Sequence, residues 1–248
     1  MKKYFYLFII LCITSCNSEN ALDCFKAAGT ILQSEINVTP FSKILVNKKI
    51  QLFIKEGAEY KVVLETGENI INEIAIKIND SILSLTNNVG CNFVRDYGIT
   101  KVYVTAPNIK EIRNNSSLTV SSIGVLTYSN LVLLSEDHEI EEFYTNGDFI
   151  LDLEVENLKI TANGFSNFFL SGSAVKAEIG LYSGNSRVEA ADFLIQELIV
   201  FHRSTNKIIV NPQVSIIGEI RSLGDVISKN EPPVVNVVEY YTGRLIFD

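Results

Sequence analysis

Tryptophan is absent from the 248 residues, methionine occurs only at position 1, and there are two histidines. So little histidine leaves scant material for a Ser/His/Asp relay or a His-based metal site. Basic residues are outnumbered, 21 against 29 acids, for a net charge of -8. That balance argues against a nucleic-acid partner, which rewards basic surfaces, and against lying flat on anionic lipid. No apolar run approaches the roughly 20 residues that a membrane-spanning helix needs. Long helical periodicity, low-complexity segments and an evident flexible linker are missing as well.

The N-terminus does carry a short apolar run. Lys2 and Lys3 precede the apolar stretch Tyr4 to Ile13, which fits the core of a signal peptide. Ile13-Thr14-Ser15-Cys16 then reads as a lipobox: an aliphatic residue, two small residues and an acylated cysteine. The alternative is an ordinary signal peptide with a chance cysteine. On the lipobox reading residues 1–15 are removed and residues 16–35 are the lipidated Cys16 and a tether. Loss of Lys2 and Lys3 takes the charge from -8 to -10. Several acyl chains anchor stably without any spanning segment. Asn17 is not the aspartate linked to inner-membrane retention, so the expected address is the cell envelope, at the outer membrane, through a lipid anchor.

Of four cysteines, Cys12 leaves with the signal and Cys16 is acylated. Cys24 and Cys91 remain, an even pair in an oxidising compartment, and a disulfide is expected. Two free buried thiols are the alternative. No other Cys or His lies near them in sequence, so no metal is expected there.

The rest alternates apolar and polar residues with many β-branched side chains, the pattern of strands. Residues 36–110 form an N-terminal β region, with strands at residues 44–46, 51–54, 60–64, 74–78, 82–85 and 101–105. Residues 111–248 repeat. Phe149, Phe168, Val188, Ile208, Val226 and Leu245 follow one another at nearly even spacing. Two positions on, Leu151, Leu170, Ala190, Val210, Ser228 and Phe247 keep the same spacings. A turn precedes each copy: Asn146-Gly147, Asn163-Gly164, Ser183-Gly184, Ser204-Thr205, Leu223-Gly224 and Thr242-Gly243. Glycine and asparagine suit such corners because corners often need positive φ. Leu158 to Ala162 matches Leu198 to His202 two repeats later. A period near 20 with about two strands and no helix predicts an all-β, right-handed parallel β-helix, in which equivalent residues stack about 4.8 Å apart. A leucine-rich repeat lacks its Leu and Asn consensus here; an antiparallel sandwich or barrel stays open. Leu118 and Val120 fit an earlier coil ahead of Phe149, with Glu136 to Glu142 as an inserted loop.

With the repeats laid out, the chain resembles the GIN-domain family, also called the autotransporter adhesin head domain. The likeness rests on Phe41-Ser42-Lys43-Ile44, on Val102 to Ile112 with Ile109 in the family's Leu position, and on Gly/Asn/Asp turns such as Asn146-Gly147-Asp148 and Leu223-Gly224-Asp225. Ser204-Thr205-Asn206 departs from the pattern. The resemblance covers roughly residues 40–248. It implies a right-handed β-helix and little about activity, and it brings no catalytic residues.

Candidate sites follow from the alternation. Arg203, Arg221 and Tyr240 fall at equivalent outward positions, with Asn163 and Ser183 before them in the same column. They would grip a carboxylated or sugar-like ligand, or else form a solvated face paired to nearby acids. Glu136 to Glu142, with His138, is a candidate cation loop, but without EF-hand spacing or an aspartate repeat a solvated acidic loop is the better reading. His202 is placed inward as a hydrogen-bonded structural histidine. Asp148 and Asp225 are turn acids in non-adjacent coils and make no evident glycosidase pair. The leading expectation is therefore a non-catalytic envelope lipoprotein that presents a surface to protein or glycan, without a cofactor. The rivals are a polysaccharide-active lyase or hydrolase and a structural assembly factor.

Overall fold

The computed structural model describes residues 24–137 and 144–248. Among these the chain is all-β: seventeen strands in one strongly curled sheet, with a single short 3-10 turn at Ile71–Glu73. Period-2 alternation sets the strands. In β2 (Lys43–Asn47), β3 (Gln51–Glu56) and β7 (Lys101–Ala106) alternate side chains are buried. β4 (Lys61–Gly67), β5 (Ile74–Asn79) and β6 (Ile82–Asn87) complete the strands expected over 36–110. One strand is additional: β1 (Ile31–Ile36) pairs antiparallel with β4, so the chain is in the sheet from Ile31 on.

The remainder runs through β8 (Glu111–Asn115), β9 (Val120–Leu126) and β10 (Asn130–Ser135) into four long strands. These are β11 (Phe149–Ala162), β12 (Asn167–Leu181), β13 (Arg187–His202) and β14 (Ile208–Ile220), followed by β15 (Val226–Ser228), β16 (Val234–Glu239) and β17 (Leu245–Phe247). Pairing among the repeats is parallel, and two stacks result. One runs β6, β2, β8, β10, the second halves of β11 to β14, then β16. The other runs β7, β3, β9, the first halves of β11 to β14, then β15 and β17.

The parallel rule stops at the N-terminal strands. β1, β4 and β5 are antiparallel to their partners. Connection length explains β5: only Asp80 and Ser81 separate it from β6. Both have positive φ, 50° and 63°, which suits a tight hairpin; a parallel crossover needs a far longer connection.

The register fixes the core. Phe149, Phe168, Val188, Ile208, Val226 and Leu245 are consecutive strand partners. The Phe149 and Phe168 rings stack with centroids 4.8 Å apart. Leu158, Ala177, Leu198, Ile216 and Val235 form a second ladder. The second expected column holds only in part. Leu151 sits on Leu170, and Val210 on Ser228 on Phe247, but bulges in β13 interrupt the ladder at Ala190. The coil before Phe149 is entered at Val120, not Leu118, because Val120 is the strand partner of Phe149. One apolar cluster runs from Phe41 to Val226 without a break at residue 110.

The turn glycines differ from their expected reason. Of Gly147, Gly164, Gly184, Gly224 and Gly243, only Gly184 has positive φ. The others are small because the previous turn lies against them. A Cβ at Gly224 would sit 1.8 Å from the Asn206 carbonyl oxygen, and one at Gly243 would sit 2.2 Å from that of Gly224. Close backbone approach, and not dihedral freedom, selects glycine there.

Cys24 and Cys91 form a disulfide across a sequence separation of 67. In the chain-entropy model a loop of that length contributes about 4 kcal/mol.

Phe168→Ala removes a fully buried ring from the centre of the first ladder. The expected loss is about 3–5 kcal/mol in urea unfolding. A loss below about 1 kcal/mol would mean that the ring is not part of a stacked core.

Candidate functional site

The second-stack ends of β12, β13, β14 and β16 finish on Leu181, His202, Ile220 and Glu239, which are strand partners in turn. The next residue on each chain leaves the ladder and faces outward. The Arg203 N–H donates to the Leu181 carbonyl at 2.7 Å, that of Arg221 to His202 at 2.7 Å, and that of Tyr240 to Ile220 at 2.8 Å. These bonds hold the column Asn163, Tyr182, Arg203, Arg221, Tyr240. It passes through Tyr182, not Ser183, because Tyr182 is the residue that follows Leu181.

Within the column the groups are unequally bound. The Arg221 guanidinium lies 4.1 Å from the centroid of the Tyr240 ring and is paired with Glu219. The Glu219 carboxylate, through its hydrogen bond, pushes the Arg221 pKa up. Tyr182 stacks on Phe201, with ring centroids 5.0 Å apart. Arg203 is exposed, and no described residue accepts a hydrogen bond from its guanidinium or pairs with it. Phe201, Arg203, Glu219 and Arg221 line a shallow, open depression. One guanidinium is thus tied down between an acid and an aromatic ring, while its neighbour points free beside a second aromatic pair. The arrangement offers a planar donor fork and aromatic faces to a ligand. Sequence reading missed Tyr182 and Phe201; the signal available was the aromatic pair flanking Leu181 and His202.

His202 lies directly behind this column and is fully buried. Its ring nitrogens face the backbone of Asn206 and Gly224, and neither Nδ1 nor Nε2 makes a hydrogen bond of full geometry. Burial pushes its pKa down to about 4, and the backbone of Asn206 and Gly224 and the charge of Asp225 only partly offset this.

The other candidates disperse. Glu136 pairs with Arg113 at 3.2 Å, and Asp137 accepts from Asn163 Nδ2 at 2.7 Å. Positions 138–142 of that loop, His138 included, lie outside the described residues, as does Cys16. Asp148 and Asp225 do the same structural job in different coils. Asp148 Oδ1 accepts the Asn167 N–H at 2.8 Å, and Asp225 Oδ1 accepts the Arg244 N–H at 2.9 Å. Each carboxylate pins the following turn.

A sequence profile described as "Putative auto-transporter adhesin, head GIN domain" matches residues 40–232. The chain belongs to the GIN-domain family. Solved structures repeat the fold. A "putative adhesin" from Bacteroides fragilis has a TM-score of 0.77 at 17% identity, covering 90% of this chain and 99% of its own. A "putative adhesin" from Parabacteroides merdae has 0.60 at 14%, covering 89% and 97%. A "Putative lipid binding protein" from Parabacteroides distasonis has 0.58 at 11%, covering 88% and 97%. At these identities the likeness is one of fold. No curated protein matches the sequence. Among the described residues no helix is long and apolar enough to cross a membrane.

The His202 environment generates a pH dependence. Its folded pKa, about 4, lies below the ordinary 6.5, so the unfolded chain binds the proton first. The contribution is intact above pH 6.5 and is lost as pH falls towards 4. Between about pH 7 and about pH 4.5 this protein should lose about 2–3 kcal/mol more than a His202→Leu variant in urea unfolding. Parallel curves for the two proteins would refute the assignment.

Proposed function

We propose that this GIN-domain protein is a non-catalytic, lipid-anchored envelope protein whose outward column Tyr182–Arg203–Arg221–Tyr240 is a binding surface, in the manner of an adhesin head. One observation carries the reading: Arg203 is an unpaired guanidinium set between the Tyr182–Phe201 stack and the Arg221–Tyr240 pair. Arginine and aromatic residues dominate the energetic centres of interfaces, and a free guanidinium fork matches a carboxylate on a protein or a glycan. The family's description as an adhesin head agrees with this.

The scaffold in this reading is a right-handed parallel β-helix. In-register parallel pairing of successive repeats supports the winding, and about 98% of parallel crossovers are right-handed. Cys16 is the anchor and residues 1–15 the signal. Adhesin-like chemistry calls for display at the cell envelope, and the outer membrane is the proposed site.

The soluble form from residue 17 on should bind on a glycan array or capture a surface protein in a pull-down. Arg203→Ala with Arg221→Ala should cut that signal at least tenfold while leaving stability within about 0.5 kcal/mol of the parent, as expected for exposed side chains. Binding that survives the double substitution would remove this column as the site. Separately, Cys16→Ala should move the protein from the membrane to the soluble fraction; continued membrane association would count against the lipid anchor.

A further inference from the structure

The two ends of the strand stacks are finished differently. At one end the parallel strands β6 and β7 are each covered by an antiparallel strand, β5 and β4. At the other end, among the described residues, β16 and β17 each have one neighbour only, β14 and β15. Val234, Val235, Val238 and Phe247 are exposed there, at 51%, 42%, 47% and 39%. Val235 belongs to the Leu158–Ile216 core ladder, so this edge leaves an interior column open. Free edges of this kind are templates for strand pairing, and proteins usually blunt them with charge, bulges or cover.

The sequence of β16 specifies its own complement. Val234-Val235-Asn236-Val237-Val238 reads the same in both directions about Asn236. The hydrogen-bond phase agrees with the palindrome. The Tyr240 N–H is spent on Ile220 of β14. By alternation Asn236 and Val238 also turn their backbone groups towards β14, which leaves Val235, Val237 and Glu239 with N–H and C=O aimed at the open edge. Pro233, which has no N–H, stands on that same side and limits pairing to the segment after it.

We propose that β16 pairs antiparallel with β16 of a second copy, about a two-fold axis through Asn236. Val235 of each copy then exchanges both backbone hydrogen bonds with Val237 of the other. Asn236 faces its own equivalent at a non-hydrogen-bonded position, where side chains approach most closely. Val234 meets Val238 on the outer face, and the inner ladder continues from one molecule into the other. The interface is isologous and closes as a dimer; it does not propagate.

Register makes the test specific. Opposed Cα atoms at a non-hydrogen-bonded position lie about 4.5 Å apart, within disulfide reach. Asn236→Cys in the full-length, membrane-attached protein should give, under mild oxidation, a band at twice the monomer mass on non-reducing electrophoresis. Val234→Cys should not, because its own equivalent lies at the far end of the paired segment on the partner strand. Adding Val237→Pro to Asn236→Cys removes an edge N–H without touching a bond to β14, and should abolish the dimer band. Sedimentation of the otherwise unaltered soluble form from residue 17 on should give a dimer. A monomer by sedimentation overturns the proposal. So does a dimer in which Asn236→Cys fails to cross-link, or in which Val234→Cys cross-links equally well.

Discussion

In-register parallel stacking is the constraint from which the other features follow. Each repeat buries its apolar side chains only by lying against the same positions of the next, as Phe149 lies on Phe168 and Leu158 on Ala177. No repeat is stable alone, because it has no second face against which to close. Every ladder position is therefore a shared condition: a side chain must fit its neighbours above and below as well as its own coil. The turn glycines show the same condition in the backbone. Gly224 and Gly243 are required by the carbonyls of the preceding turn, not by their own conformations. The turn acids meet it through hydrogen bonds, with Asp148 and Asp225 each reaching forward to hold the next corner.

Stacking also explains which features could be read in advance. Where repeats follow one another directly, like positions recur at nearly even steps, and the Phe149 to Leu245 column was visible as spacing alone. Irregularity hides the rest. Between Phe169 and Gly172 the pairing slips by one position, because β13 bulges near Ala190 to Asp192. Even steps from Asn163 to Arg203 pass through Ser183, whereas a shorter coil followed by this bulged, longer one puts Tyr182 in the column. The interleaving of β2 and β3 between strands that come later in the chain left no mark at all. β2 pairs with both β6 and β8, Lys43 lying between Ile82 and Glu111, and a single pass through one sequence carries no period for such an insertion. β1 was hidden for a different reason: its side chains are mostly exposed, so its composition shows little apolar alternation.

His202 shows the tension within the ladder. Its strand partners are Leu181 and Ile220, and an apolar residue would satisfy the position. The imidazole instead sits behind Arg203 with only the backbone of Asn206 and Gly224 facing its nitrogens and no full hydrogen bond, a buried polar group that costs stability. Its neutrality at ordinary pH keeps that cost bounded. It also keeps a further positive charge out of the corner that carries two arginines, so the outward column can concentrate guanidinium groups in a chain that is otherwise acidic.

The outward column and the open edge are two consequences of one geometry. Core positions must agree from coil to coil, but the outward residue after each ladder end answers to nothing beneath it. Asn163, Tyr182, Arg203, Arg221 and Tyr240 can therefore vary in chemistry while their backbones stay fixed by bonds such as Arg203 to Leu181 and Tyr240 to Ile220. On the proposed reading, that freedom lets the stack serve as a platform for recognition. The last parallel ladder at each end needs a cover, which β4 and β5 supply at one end and which no described strand supplies beyond β16 at the other. At β16 the chain meets this end with a palindromic valine segment, and a strand complementary to itself is suited to being covered by another copy of the chain, as proposed above.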